Sequence, residues 1–167
     1  MRNAGWVLIA SALLLAGCGS EKSGEFTTAE GENAEYTIDK DSGETSMTVK
    51  GPDGEATLRS GAKVPVSLPD GFSLFPGSKV LTNTVINKPD GKGTMVMFEA
   101  AAPADKIVAH YRDQAKAAGF DIQLEMNTNG TMMIGGERKG DGSTLSVTAT
   151  TGDTTTGQII FGTKKGG

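Results

Sequence analysis

Apolar positions along this chain recur mainly at every second residue, in short runs closed by turn residues, which is the pattern of strands. Residues 36–39, 45–50 and 55–59 read as three strands joined by Asp41-Ser42-Gly43 and Pro52-Asp53-Gly54, both suited to tight turns. Their apolar members are few (Tyr36, Ile38, Met47, Val49, Leu58), so this meander is expected to need cover from the rest of the chain. Residues 79–87 and 94–99 predict a hairpin, with Val96 and Phe98 on one face and Met95, Met97 and Glu99 on the other. Further on, residues 120–126, 131–138, 144–150 and 156–163 predict four more strands separated by Asn-Gly, Asp-Gly and Gly-Asp turns. In the first of these Phe120, Ile122, Leu124 and Met126 alternate with polar residues and are expected to share a face.

The period changes once. Over 103–118, Ala104, Ile107, Val108, Tyr111, Ala115 and Ala118 fall on one side of a helix, with Lys106, Asp113 and Lys116 opposite. Pro103 suits the first helical position, Asp105 complements the positive end, and Gly119 suits a left-handed stop. Between meander and hairpin, Ser60 to Ser78 carries Pro65, Pro69 and Pro76 among Val, Leu and Phe; it reads as an extended connector whose Phe72, Leu74 and Phe75 plug the core. One helix with one apolar stripe must lie on one face of a sheet. The fold class is therefore α+β: a mainly antiparallel β-sheet with one helix packed on it, preceded by a small β-meander. The organisation expected is a leader over 1–17, an N-terminal tether over 18–33, the meander over 34–60, a Pro-rich connector over 61–79 and a ββαββββ domain over 80–167.

The leader follows from composition. Arg2 precedes an apolar run from Trp6 to Ala16, too short for a bilayer that takes about 20 apolar residues but suited to an export signal. The run ends in Leu15-Ala16-Gly17-Cys18, which resembles the lipobox of bacterial lipoprotein precursors. That resemblance implies cleavage between Gly17 and Cys18, a diacylglyceryl group on the Cys18 sulfur, and an N-acyl chain such as palmitate on the new amino terminus. Two or three chains give stable membrane anchoring. Gly19, rather than Asp, follows the Cys, which in Gram-negative lipoproteins implies transfer to the periplasmic face of the outer membrane. Gly19 to Asn33 has only Phe26 as a large apolar residue and reads as a flexible lipidated tether. The span from Leu68 to Lys165 also resembles a module of exported bacterial proteins of unassigned activity, through Leu68-Pro69, Phe75-Pro76-Gly77, His110-Tyr111-Arg112 and Ala117-Ala118-Gly119-Phe120.

Charge and residue counts narrow the chemistry. Residues 19–58 hold ten acids and three bases, and residues 59–167 ten acids and twelve bases. The acidic front end is expected to keep the tether solvated and away from anionic lipid. A net charge of −4 with only short basic pairs argues against nucleic acid. One Cys and one His exclude an intrachain disulfide and a Cys/His zinc cluster. His110 is the single imidazole, expected at the rim of the helix, and no Gly-x-Ser-x-Gly elbow accompanies it. Asp39-x-Asp41-x-Gly43 opens like a calcium loop but has Lys50 where the closing Glu is required. Met95, Met97, Met126, Met132 and Met133 sit on three strands expected to be neighbours, and thioethers suit Cu(I); the same residues also serve as adaptable core filler. The function expected is a cell-envelope lipoprotein acting as a non-enzymatic interaction or accessory module, with no cofactor beyond the Cys18 lipid and an envelope protein as partner. A small-ligand or copper-binding lipoprotein is the alternative, and an envelope hydrolase using His110 the third.

Overall fold

The alternating runs become strands of one sheet in the computed structural model, which describes residues 21–29, 31–52 and 54–164. The leader and Cys18 lie outside the described residues. Among the described residues, ten strands and one helix follow in the order β1 (Glu21–Thr27), β2 (Asn33–Asp39), β3 (Thr45–Gly51), β4 (Gly54–Gly61), β5 (Lys79–Lys88), β6 (Gly91–Ala100), α1 (Ala104–Ala117), β7 (Asp121–Thr128), β8 (Thr131–Arg138), β9 (Ser143–Thr150) and β10 (Thr155–Lys164). All pairings are antiparallel, in the spatial order β1-β2-β3-β4-β5-β6-β10-β9-β8-β7. The chain thus lays down six strands, crosses the sheet through α1 to the far edge, and returns strand by strand until β10 pairs with β6.

Local chemistry explains the ends of these elements. Asn129 and Gly130 have φ of 49° and 78°, the left-handed conformations that a two-residue hairpin turn needs. At residues 39–44 the Asp39 carboxylate accepts the N–H groups of Asp41 (2.8 Å) and Ser42 (3.1 Å), folding the segment first compared with a calcium loop into a side-chain-capped turn. Helix α1 ends in a Schellman motif: the Phe120 N–H reaches the Ala115 carbonyl (2.9 Å), the Gly119 N–H reaches Lys116 (3.1 Å), and Gly119 has φ of 82°. At its other end Pro103 occupies the cap, one position before the expected one, and Thr155 at the start of β10 donates to the Ala102 carbonyl at 2.6 Å.

The core lies on one side of the sheet. The α1 stripe of Ala104, Ile107, Val108, Tyr111 and Ala115 packs on Val96, Phe98, Ile134, Leu145, Val147, Ile159 and Phe161, all buried. Burying each large side chain here stabilises the fold by roughly 1.5–3 kcal/mol. The connector closes the layer beside the helix, as expected: Phe72 packs edge-on against Phe161 (4.6 Å between centroids) and Phe120 (5.8 Å), and Leu74 and Phe75 join the same cluster.

Three expectations change. Glu21–Thr27, assigned to a flexible tether, forms edge strand β1 in register with β2, from Glu21 opposite Asp39 to Thr27 opposite Asn33. Strand pairing supplies the order that composition alone withheld. A register shift between Ile122 and Leu124 turns the four alternating apolar residues of the β7 segment onto two faces. Phe120 and Ile122 join the core, while Leu124 and Met126 are 51% and 43% exposed on the opposite face. Finally, the meander is not covered. Its apolar residues continue one row of the register, Tyr36–Met47–Leu58–Ile86, on the face turned away from α1. Among the described residues nothing in the buried core packs on that row.

Candidate functional site

Where the connector crosses the sheet it leaves a cleft of about 340 Å³, lined by Ser67, Leu68 and Pro69 on one side and by Val85, Asn87, Lys92, Thr94, Phe161 and Thr163 on the other. The strand residues point here because β5, β6 and β10 are adjacent and in register: Val85 opposes Thr94, Thr94 opposes Phe161, and Asn87 opposes Lys92. Leu68, Pro69, Val85 and Phe161 supply apolar lining, and Asn87, Lys92, Thr94 and Thr163 polar lining. Lys92 is exposed and, among the described residues, no ion pair ties it to a carboxylate. An apolar cleft with a few convergent polar groups is the usual form of a small-molecule site.

The connector is fixed over this cleft by buried polar contacts. Asn83, fully buried on β5, donates through Nδ2 to the carbonyls of Pro65 (2.8 Å) and Val64 (3.4 Å). Pro65 itself brings no donor, so a side chain from the sheet meets the carbonyls of a segment that cannot pair as a strand. Tyr111 is fully buried and its hydroxyl accepts the Phe75 N–H at 3.1 Å. Burial pushes the Tyr111 hydroxyl pKa upward, against the opposing effect of that hydrogen bond.

His110 belongs to the same fastening. Gln114 Nε2 donates to His110 Nε2 at 2.8 Å and to Ser73 Oγ at 3.1 Å, while Gln114 Oε1 accepts the Ser73 N–H at 3.0 Å. His110 Nε2 also lies 3.3 Å from the Ser73 carbonyl oxygen, so the ring edge meets the connector through both Gln114 and Ser73. The ring also stacks edge-on with Phe75 and Tyr111, at 5.3 and 5.1 Å. His110 is therefore placed as a clasp for the connector.

The five methionines are not brought together. The register across the uncovered face runs Met97–Gln158–Thr148–Met133–Met126, so β10 and β9 separate Met97 from Met133 by three interstrand spacings, about 14 Å. Met132 opposes Ala149 and packs toward the core on the other face, and Met95 Sδ accepts a hydrogen bond from Gln158 at 3.2 Å. Met126 and Met133 are cross-strand partners and line a small cleft with Met132, whereas Met95 and Met97 lie together on β6 with two strands between the groups. Among the described residues no three His, Cys, Asp or Glu side chains converge as metal ligands.

The cleft was not visible in the sequence, because its walls come from residues 67–69, 85–94 and 161–163. The one signal was Leu68-Pro69, which stood out as part of a connector.

A family model described as START domain-like is similar to residues 80–161, a span running from β5 through β10 that contains α1 and most of the cleft wall. Neither the curated proteins nor the solved structures give a match to this chain.

Proposed function

We propose that this chain is a cell-envelope lipoprotein, anchored by acylated Cys18 at the periplasmic face of the outer membrane, whose folded part is a non-enzymatic module that binds a small amphipathic ligand. The single observation carrying the ligand reading is the cleft between connector and sheet: apolar lining from Leu68, Val85 and Phe161 with the exposed Lys92 beside it. The similarity of residues 80–161 to the START domain-like family supports a ligand-binding rather than a catalytic module. An apolar body fills the walls, and an acidic end meets Lys92. On this reading the module is a ligand carrier or sensor held at a membrane, and an envelope protein partner receives or responds to the ligand.

Two experiments test the reading. Titrating the purified chain with a medium-chain fatty acid is expected to raise its melting temperature saturably with ligand concentration. Val85→Trp, which fills the cleft, and Lys92→Glu, which reverses its charge, should each abolish that rise; equal stabilisation of both variants would sink the cleft as the site. For the anchor, Cys18→Ser is expected to leave a larger, unprocessed precursor, and normal maturation of the variant would refute it.

A further inference from the structure

We infer that the uncovered face of the meander, β1 to β4, is a lipid-docking surface that lies against the membrane next to the anchor. This inference rests on the proposed acylation of Cys18. Two residues, Gly19 and Ser20, separate Cys18 from Glu21, the first residue of edge strand β1. Three residues of extended chain reach about 10 Å at most. An acylated Cys18 thus holds this edge of the sheet at the bilayer surface, where a long flexible tether would have let it drift.

The two faces of the meander differ in a way that selects which one meets lipid. Every strand acid of β1 to β4 (Glu21, Glu25, Glu35, Asp39 and Glu55) falls on one face by register, together with Lys50 and Arg59. The other face carries Phe26, Tyr36, Ile38, Met47 and Leu58, with Lys22 as its sole charged strand residue. Phe26 is 46% and Ile38 37% exposed, and the Tyr36 ring lies over Gly24, where a Cβ would meet its hydroxyl at 2.7 Å. Apolar and aromatic groups beside a lysine suit the headgroup boundary, whereas a row of carboxylates is repelled by anionic lipid. The acids that composition assigned to a solvated tether are thereby turned toward water by the pleat. Docking is confined to this end of the sheet. A twist of about 20° per strand turns the far edge at β7 through nearly half a circle relative to β1, away from any plane that β1 to β4 can touch.

The test uses the full chain, purified from membranes and reconstituted in phosphatidylcholine vesicles with brominated acyl chains. Trp6→Phe removes the native indole, and Phe26→Trp or Thr37→Trp then places a single reporter on the apolar or the acidic face of neighbouring strands. Bromolipid is expected to lower the emission of the Phe26→Trp reporter about two-fold or more and to leave that of the Thr37→Trp reporter nearly unchanged. Equal quenching of both, or of neither, overturns the docking. So does a Phe26→Trp emission already shifted to the blue before vesicles are added in a chain that sediments as a dimer, because a second copy then holds the face. Intact mass reads the anchor separately: acylated Cys18 with equal quenching rejects the docking alone, while unmodified Cys18 with selective quenching of the Phe26→Trp chain rejects the anchor and retains the docking. Ile38→Trp, on the apolar face one strand inward, repeats the measurement should Phe26→Trp fail to fold.

Discussion

Strands β6, β9 and β10 and strands β1 to β4 belong to one hydrogen-bonded sheet, yet their principal apolar rows lie on opposite faces. In β6, β9 and β10 the dry face is the one under α1, and Phe98, Val147 and Ile159 are fully buried there. In β1 to β4 the large apolar residues Phe26, Tyr36, Ile38, Met47 and Leu58 project the other way and remain partly open to solvent. Alternation in a strand states that two faces differ but is silent on which face finds a second layer. Here the helix and connector are only long enough to cover one half of the sheet. The lesson is that continuous pairing does not imply continuous core.

The sharpest way to break this comparison is to truncate one aromatic in each half. Phe98→Ala in the helix-covered layer is expected to cost about 3–5 kcal/mol in urea unfolding. Phe26→Ala on the meander, measured without lipid, should stay within about 0.5 kcal/mol of the parent; comparable losses would mean that the meander has a core of its own. Next in size, Tyr111→Phe removes the acceptor of the Phe75 N–H and leaves a half-buried donor unpaired, a cost of about 1 kcal/mol. Hydrogen exchange at Phe75 should accelerate in that variant while exchange in β2 and β3 stays unchanged. Smaller again, Asn83→Ala frees the Val64 and Pro65 carbonyls and should loosen the connector over the cleft, lowering ligand-induced stabilisation before it lowers overall stability.

The smallest effect expected is at the β8–β9 turn. Asp141 accepts from Arg138 and from the Ser143 N–H, and these hydrogen bonds hold its carboxyl well below the ordinary value of 3.8. A carboxyl depressed in the folded state contributes stability that is complete above its unfolded pKa and is lost as the pH falls through the folded one. Asp141→Asn should therefore lower the neutral plateau slightly and flatten the acid limb below about pH 3.8, where the parent loses this contribution in any case. An unaltered acid limb would show that the turn is not coupled to global unfolding.

Some elements were legible because their signals are local. The α1 stripe, the Gly119 stop and the Asn129-Gly130 turn each need only neighbouring residues, and each is found where the pattern places it. Strand β1 was missed because its composition is that of a tether; Gly24 and Phe26, alternating ahead of a turn closed by Gly31 (φ 86°), were the hint it carried. The β7 bulge was hidden for another reason. Whether Leu124 faces core or solvent depends on its partner Gly135 on β8, a pairing that alternation within β7 does not encode. The methionine set is divided in the same manner, since strand order inserts β10 and β9 between Met95 and Met97 on one side and Met126, Met132 and Met133 on the other.

By itself the amino-acid sequence determined helix α1, the strands from β2 to β10, the α+β class and the lipobox resemblance at Cys18, because periodicity, turn residues and a short motif act over a few residues. Tertiary structure alone decided the strand order, the face to which each apolar row is turned, the cleft under Leu68 and Pro69, and the separation of acids from apolar groups on the meander. Those features depend on register between distant segments, and a shift of one residue in pairing reverses them without changing any local pattern.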